Sequence, residues 1–154
     1  MSYELMFFPK AAGQSWDQVM AAAEREDHSG PLDAAAWERF VAEARRIAGE
    51  VSTRRDEECF ELTHPPSHIQ VHLFVREALL TVPYWFTGMD AATLLDLAFR
   101  LGRAVESATG LVGYDPQLEE ALSEAEVGRA VLELDTLGAK VVRGMVLGRR
   151  DPAG

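Results

Sequence analysis

One cysteine stands among the 154 residues, Cys59. A lone thiol forms no intrachain disulfide and cannot build a cysteine-based zinc cluster. Long apolar runs are missing as well: none approaches the roughly 20 residues that span a bilayer. The first residues, M-S-Y-E-L-M-F-F-P-K, have no basic stretch leading into an apolar one, so no secretory leader is expected. These absences point away from the membrane and towards the cytoplasm. Basic residues are also scarce. There are 15 Lys and Arg against 25 Asp and Glu, a net charge of −10. A general nucleic-acid binder needs a basic face to neutralise phosphates, so no nucleic-acid partner is expected.

Catalytic signatures are missing too. The chain has no Gly-x-Ser-x-Gly, no glycine loop of the kind that cradles phosphate, and no His-Glu-x-x-His. The glycines of Gly102-Arg-Ala-Val-Glu-Ser-Ala-Thr-Gly110 have the wrong spacing for a phosphate loop and fall in a helical pattern. No cofactor is expected.

What is present is an ordinary globular composition, 47% hydrophobic and 26% charged. The length suits one domain with a proper core, expected over residues 1–150, with 151–154 as a disordered tail. Tyr3 to Phe8 reads as a strand stopped by Pro9. Ser15 and Gln18 form a capping box for a helix to about Arg25. Asp33 caps a second helix in which Trp37, Phe40, Val41, Ala44, Ile47, Ala48 and Val51 share one face. Ser52 to Glu58 reads as a charged connection. Three strands are then expected, Cys59 to Thr63, His68 to Arg76 and Leu79 to Phe86, the last two joined as a hairpin across Glu77-Ala78. Asp90 caps a helix with the stripe Leu94, Leu97, Ala98, Leu101, Val105 and Ala108, and Gly110 ends it. Leu111 to Tyr114 is a strand closed by Asp115-Pro116. Ser123 and Glu126 open a last helix through Val127, Val131, Leu134, Val141 and Met145, weakened by Gly128, Gly138 and Gly144.

This order predicts an α+β fold with a mainly antiparallel sheet, ferredoxin-like with an extra strand, covered by helices and followed by a C-terminal helix. Leu137 to Arg150 holds four basic residues and no acidic one, so that last segment is expected to dock as a helix and to support self-association.

The stretch T-H-P-P-S-H-I-Q-V-H places His64, His68 and His72 four residues apart. Metal ligands must converge to about 2 Å from the ion. Residues four apart do so on a helix, whereas on a strand they lie about 13 Å from each other. Ile69, Val71 and Leu73 alternate with His68, Gln70, His72 and Phe74, which is strand patterning. No metal site is therefore expected. The face carrying His68, Gln70, His72, Phe74 and Arg76, with Trp85 from the next strand, mixes apolar and polar groups as protein interfaces do.

Tyr114-Asp115 places an acid just beyond a strand end and is a weaker pocket candidate, since Asp-Pro is also an ordinary turn opener. Asp56-Glu57-Glu58 has no matching His or Cys and reads as a solvated loop.

The opening Met1-Ser-Tyr-Glu-Leu5 and the later Thr109-Gly-Leu-Val-Gly-Tyr-Asp-Pro-Gln117, after an Ala-rich helix, resemble a group of small uncharacterised bacterial proteins. That group shares an M-S-Y-x-L start and a late G-L-x-x-Y-D-P-Q segment. Some small acidic proteins of this general kind are similar to immunity proteins, which bind toxins; the likeness is one of general kind, and it carries over no active-site residue. Taken together, the expectation is a non-catalytic protein-binding module with another protein or a second copy as partner, a homodimer in the latter case. The competing expectation is a small enzyme or small-molecule binder with a pocket between sheet and helices, using Tyr114, Asp115 and His72.

Overall fold

The computed structural model describes residues 2–26, 29–83 and 90–123. Trp85, the helix expected after its Ser123 cap, its basic end and the 151–154 tail lie outside the described residues.

Each element follows from local chemistry. In β1 (Ser2–Phe8), Tyr3, Leu5 and Phe7 are buried and alternate with half-buried residues, the pattern of a strand covered on one side. The Ser15–Gln18 capping box opens α1 (Trp16–Arg25). The Asp33 side chain accepts from the Ala36 amide and opens α2 (Ala34–Ala48), whose buried residues are Ala36, Trp37, Phe40, Val41 and Ala44. A meander follows: β2 (Ser52–Arg55), β3 (Phe60–His64), β4 (Ile69–Leu73) and β5 (Ala78–Pro83). The Asp90 carboxylate accepts from Thr93 to open α3 (Ala91–Thr109), and Gly110 closes it in the left-handed conformation. β6 (Val112–Asp115) and the short β7 (Glu120–Ala121) complete the chain's described part.

The seven strands form one sheet in the order β2-β3-β4-β5-β1-β6-β7. Every neighbouring pair is antiparallel. β1 sits between β5 and β6, the end of the meander and the strand reached through α3. This is the ferredoxin-like split β-α-β arrangement with its central hairpin lengthened to four strands and an edge strand added. The antiparallel α+β architecture expected from the sequence is therefore the one observed.

α2 and α3 pack against each other and onto one sheet face, α2 on β3 and α3 on β5 and β6. Between them and the sheet lies the core, in which Trp37, Tyr3, Phe7, Phe40 and Phe99 are the largest fully buried side chains. Registers across the sheet align Leu62, Val71, Leu80 and Leu5 in a single row of this core. The α3 layer comes close because two glycines make room. A Cβ at Gly113 would sit 2.9 Å from the Leu122 Cβ, and one at Gly102 would sit 3.0 Å from the Leu122 Cδ2. Leu122, fully buried, fills the space both glycines leave.

The elements differ from the sequence reading in several places. Ser52–Arg55 is an edge strand, not a connection. All four of its residues are exposed, so it has no apolar alternation to betray it. The strand expected over His68–Arg76 is shorter at both ends. His68 has φ 60° and belongs to the turn after Pro65-Pro66. Phe74 to Glu77 form a four-residue hairpin loop in which the Phe74 amide donates to the Glu77 carbonyl at 2.8 Å, so the turn is not Glu77-Ala78. The second helix stops at Ala48, before Val51. β7 had no signal in the sequence.

Candidate functional site

The three clustered histidines are separated by the fold. His64 is buried on the helix side: its ring nitrogens lie 2.6 Å from the Ser67 hydroxyl and 3.2 Å from the Ala48 carbonyl. It ties the β3–β4 turn to the end of α2. His68 is exposed in that turn. His72 is on the opposite sheet face, with Nε2 3.6 Å from the Glu61 carboxylate and its ring stacked on Phe74 at 6.4 Å. Strand alternation and a turn, not a shared face, set these positions. The His72 Nδ1 is buried and has no hydrogen-bond partner among the described residues.

The face opposite α2 and α3 is built from even-numbered β1 residues and their cross-strand partners. One row runs Glu61, His72, Leu79, Met6 and Tyr114. The next runs Thr63, Gln70, Thr81 and Glu4. α1 crosses part of this face. Trp16 packs on the Tyr114 ring at 4.6 Å, and Glu26 just past its end lies 3.6 Å from Arg76. Beside it, Ser2, Thr63, His68, Gln70, Thr81 and Pro83 line a shallow depression of about 330 Å³. Its lining offers hydroxyls, an amide and an imidazole, groups that donate and accept hydrogen bonds. Of the face expected from the sequence, Gln70 and His72 stand on the strand, His68 borders the depression from the turn, and Phe74 and Arg76 belong to the hairpin loop.

Tyr114 and Asp115, the weaker pocket candidates, stand at the end of β6. Asp115 is fully buried. Its carboxylate accepts from the Tyr3 hydroxyl, from the Gln117 and Leu118 amides at 2.9 and 3.2 Å, and from the Gln117 side chain at 2.7 Å. The Gln117 side chain then behaves as a missing strand residue. Its amide nitrogen donates to the Glu4 carbonyl at 2.8 Å and its oxygen accepts from the Glu4 amide at 2.9 Å. Burial, with Glu119, Asp17 and Asp115 nearby, pushes the Tyr114 hydroxyl above its ordinary pKa, so it stays protonated at neutral pH. Between sheet and helices, where the competing expectation puts a pocket, lies the buried cluster that includes Trp37, Phe40, Phe7 and Phe99. Burial likewise raises the Cys59 thiol, which leaves it a poor nucleophile.

A second concavity was not foreseen. It lies on the outer side of the helical layer, where α2 and α3 run together, and has a volume of about 520 Å³. Four arginines border it: Arg39 and Arg46 from α2, Arg100 and Arg103 from α3. The spacings, seven apart and three apart, put each pair on one helix face and were legible. That the two faces meet is a tertiary fact.

No helix among the described residues is long and apolar enough to cross a membrane, and those residues hold no cluster of three or more His, Cys, Asp or Glu placed for a metal. No family model, curated protein or solved structure matches the chain.

Proposed function

We propose that the chain is a non-catalytic protein-binding module that engages a partner through the open part of the sheet face. The observation that carries this reading is the row Thr63–Gln70–Thr81–Glu4 with the adjoining depression: half-buried, neutral to acidic, and set on rigid paired strands. Such a platform keeps its hydrogen-bonding groups in fixed positions, which lowers the entropy cost of binding. Apolar Leu79 and Met6 lie in the next row, giving the mixed character of a transient interface. The buried Nδ1 of His72, without a hydrogen-bond partner among the described residues, lies on the same face and supports its being completed by another molecule. The net charge of −10 favours a partner with a basic contact surface.

The test compares wild-type chain with Gln70→Arg and, separately, Thr63→Glu as bait in an extract of the native cell. One protein retained by wild type and lost by both variants, at unchanged melting temperature, supports the assignment. The same protein retained by all three sinks it. Sedimentation velocity of the same samples decides whether the partner is a second copy.

A further inference from the structure

The groove between α2 and α3 runs against the composition of the chain. In a protein of net charge −10, four guanidiniums gather around one concavity with a single carboxylate, Glu43, among its lining residues. The partners of these groups are unequal. Glu43 pairs with Arg46 on the same helix, and this hydrogen bond holds the Glu43 carboxyl below its usual range. Arg39 donates to the Ala108 carbonyl at 3.0 Å, near the C-terminal end of α3. Arg100 and Arg103 make no hydrogen bond or ion pair with a described residue. A guanidinium stays charged at any physiological pH. Arg100 and Arg103 are about 4.5 Å apart along α3 by helical rise, well inside the Debye length of about 8 Å at physiological salt, so salt only partly screens this pair.

We propose that this groove binds a small molecule carrying phosphate groups. The planar guanidinium fork matches phosphate oxygens bidentately, and two such forks one helical turn apart on α3 hold a multiply charged oxyanion better than a monocarboxylate. Ser107 adds a hydroxyl donor, and Ile47 provides an apolar wall for the rest of the ligand. The volume of about 520 Å³ is in the range of metabolite sites, roughly 300–1,000 Å³. This site is on the opposite side of the sheet from the proposed protein-binding face and does not depend on it.

Isothermal titration calorimetry of the full chain at low salt, with inorganic pyrophosphate as the probe, tests the proposal. One saturable site is expected, its affinity falling by about ten-fold or more in the R100Q/R103Q variant. The control is R54Q/R55Q, which removes the same charge from the exposed edge strand β2 and is expected to leave affinity unchanged. Thermal melts of both variants, whose substitutions are all on exposed side chains, check that each remains folded. Absence of saturable heat overturns the proposal. Equal loss in both variants overturns it too, because it would trace binding to net charge. Binding of a poly-glutamate peptide in place of pyrophosphate would make the groove a protein contact and reject the small-molecule assignment.

Discussion

Replacing Tyr3 by phenylalanine removes one oxygen from the middle of the structure and leaves the ring volume almost unchanged. Tyr3 and Asp115 are both fully buried, and the Tyr3 hydroxyl donates to the Asp115 carboxylate across 112 residues of sequence. A hydrogen bond to a charged acceptor contributes about 1.5–3 kcal/mol, so Tyr3→Phe is expected to cost about 2 kcal/mol. For a chain of this length that corresponds to a fall of roughly 6 °C in Tm. Asp115→Ala strands more groups. The Tyr3 hydroxyl and the Gln117 and Leu118 amides all lose their acceptor, for a cost of about 3 kcal/mol or more. Because the two substitutions share a bond, the double variant should fall short of the sum by about 2 kcal/mol. Urea melts with an unchanged m value are the assay. If Tyr3→Phe lies within about 0.5 kcal/mol of wild type, the hydrogen bond is not stabilising the closure of the fold and the reasoning fails. If Asp115→Ala leaves stability intact, Asp115 is free for the pocket role that its burial argues against.

Three further outcomes follow from the same geometry. Gly113→Ala puts a Cβ 2.9 Å from the Leu122 Cβ and 3.0 Å from the Phe7 ring, so it should cost about 1–3 kcal/mol in a chemical melt. Gln117→Ala removes both side-chain bonds to the Glu4 backbone, and hydrogen exchange at the Glu4 amide should accelerate while amides of β4 are unmoved. Hydrogen bonds from the Thr93 amide and hydroxyl depress the Asp90 carboxyl below the ordinary aspartate range. Its contribution to stability is therefore present above the unfolded-state pKa and lost as pH falls through the folded one. The Tm gap between wild type and Asp90→Ala should accordingly be widest at neutral pH and narrow in acid; a gap that is constant with pH would contradict the cap.

The helices were legible because their signals are local. Ser15, Asp33 and Asp90 each cap through a bond to a residue three positions on, and Gly110 ends α3 in the conformation that favours glycine. The covered strands were legible because burial on one side writes period two into β1, β3, β4 and β5. β2 was not, since an edge strand with both faces wet is under no pressure to alternate. Nor were the limits of β4, which are set by a left-handed residue at His68 and by the closure of a four-residue loop. The sequence could suggest that Gln70 and His72 share a face, because they are two apart on one strand. It could not indicate that Thr63, Thr81 and Glu4 join them, since registers between strands decide that. The arginine groove has the same cause: two legible stripes whose meeting depends on how α2 packs against α3.

The two segments that carried the family resemblance prove to be one structural unit in this chain. Tyr3 of the opening strand reaches Asp115 of the later segment, and the Glu4 backbone pairs with the Gln117 side chain. Together they fasten β1, the strand that holds both halves of the sheet, to the connection beyond β6. A pattern of this kind reports how the sheet is closed, because its tyrosine, aspartate and glutamine are consumed by hydrogen bonds to one another. The residues left free to meet other molecules are on the two sides that this clamp holds rigid. On one side is the neutral to acidic platform of Thr63, Gln70 and Thr81, and on the other are Arg100 and Arg103 above the helix pair. Their opposite electrostatic character means that a single partner does not suit both. The two proposed sites therefore call for different partners, and the fold separates them by the thickness of its own core.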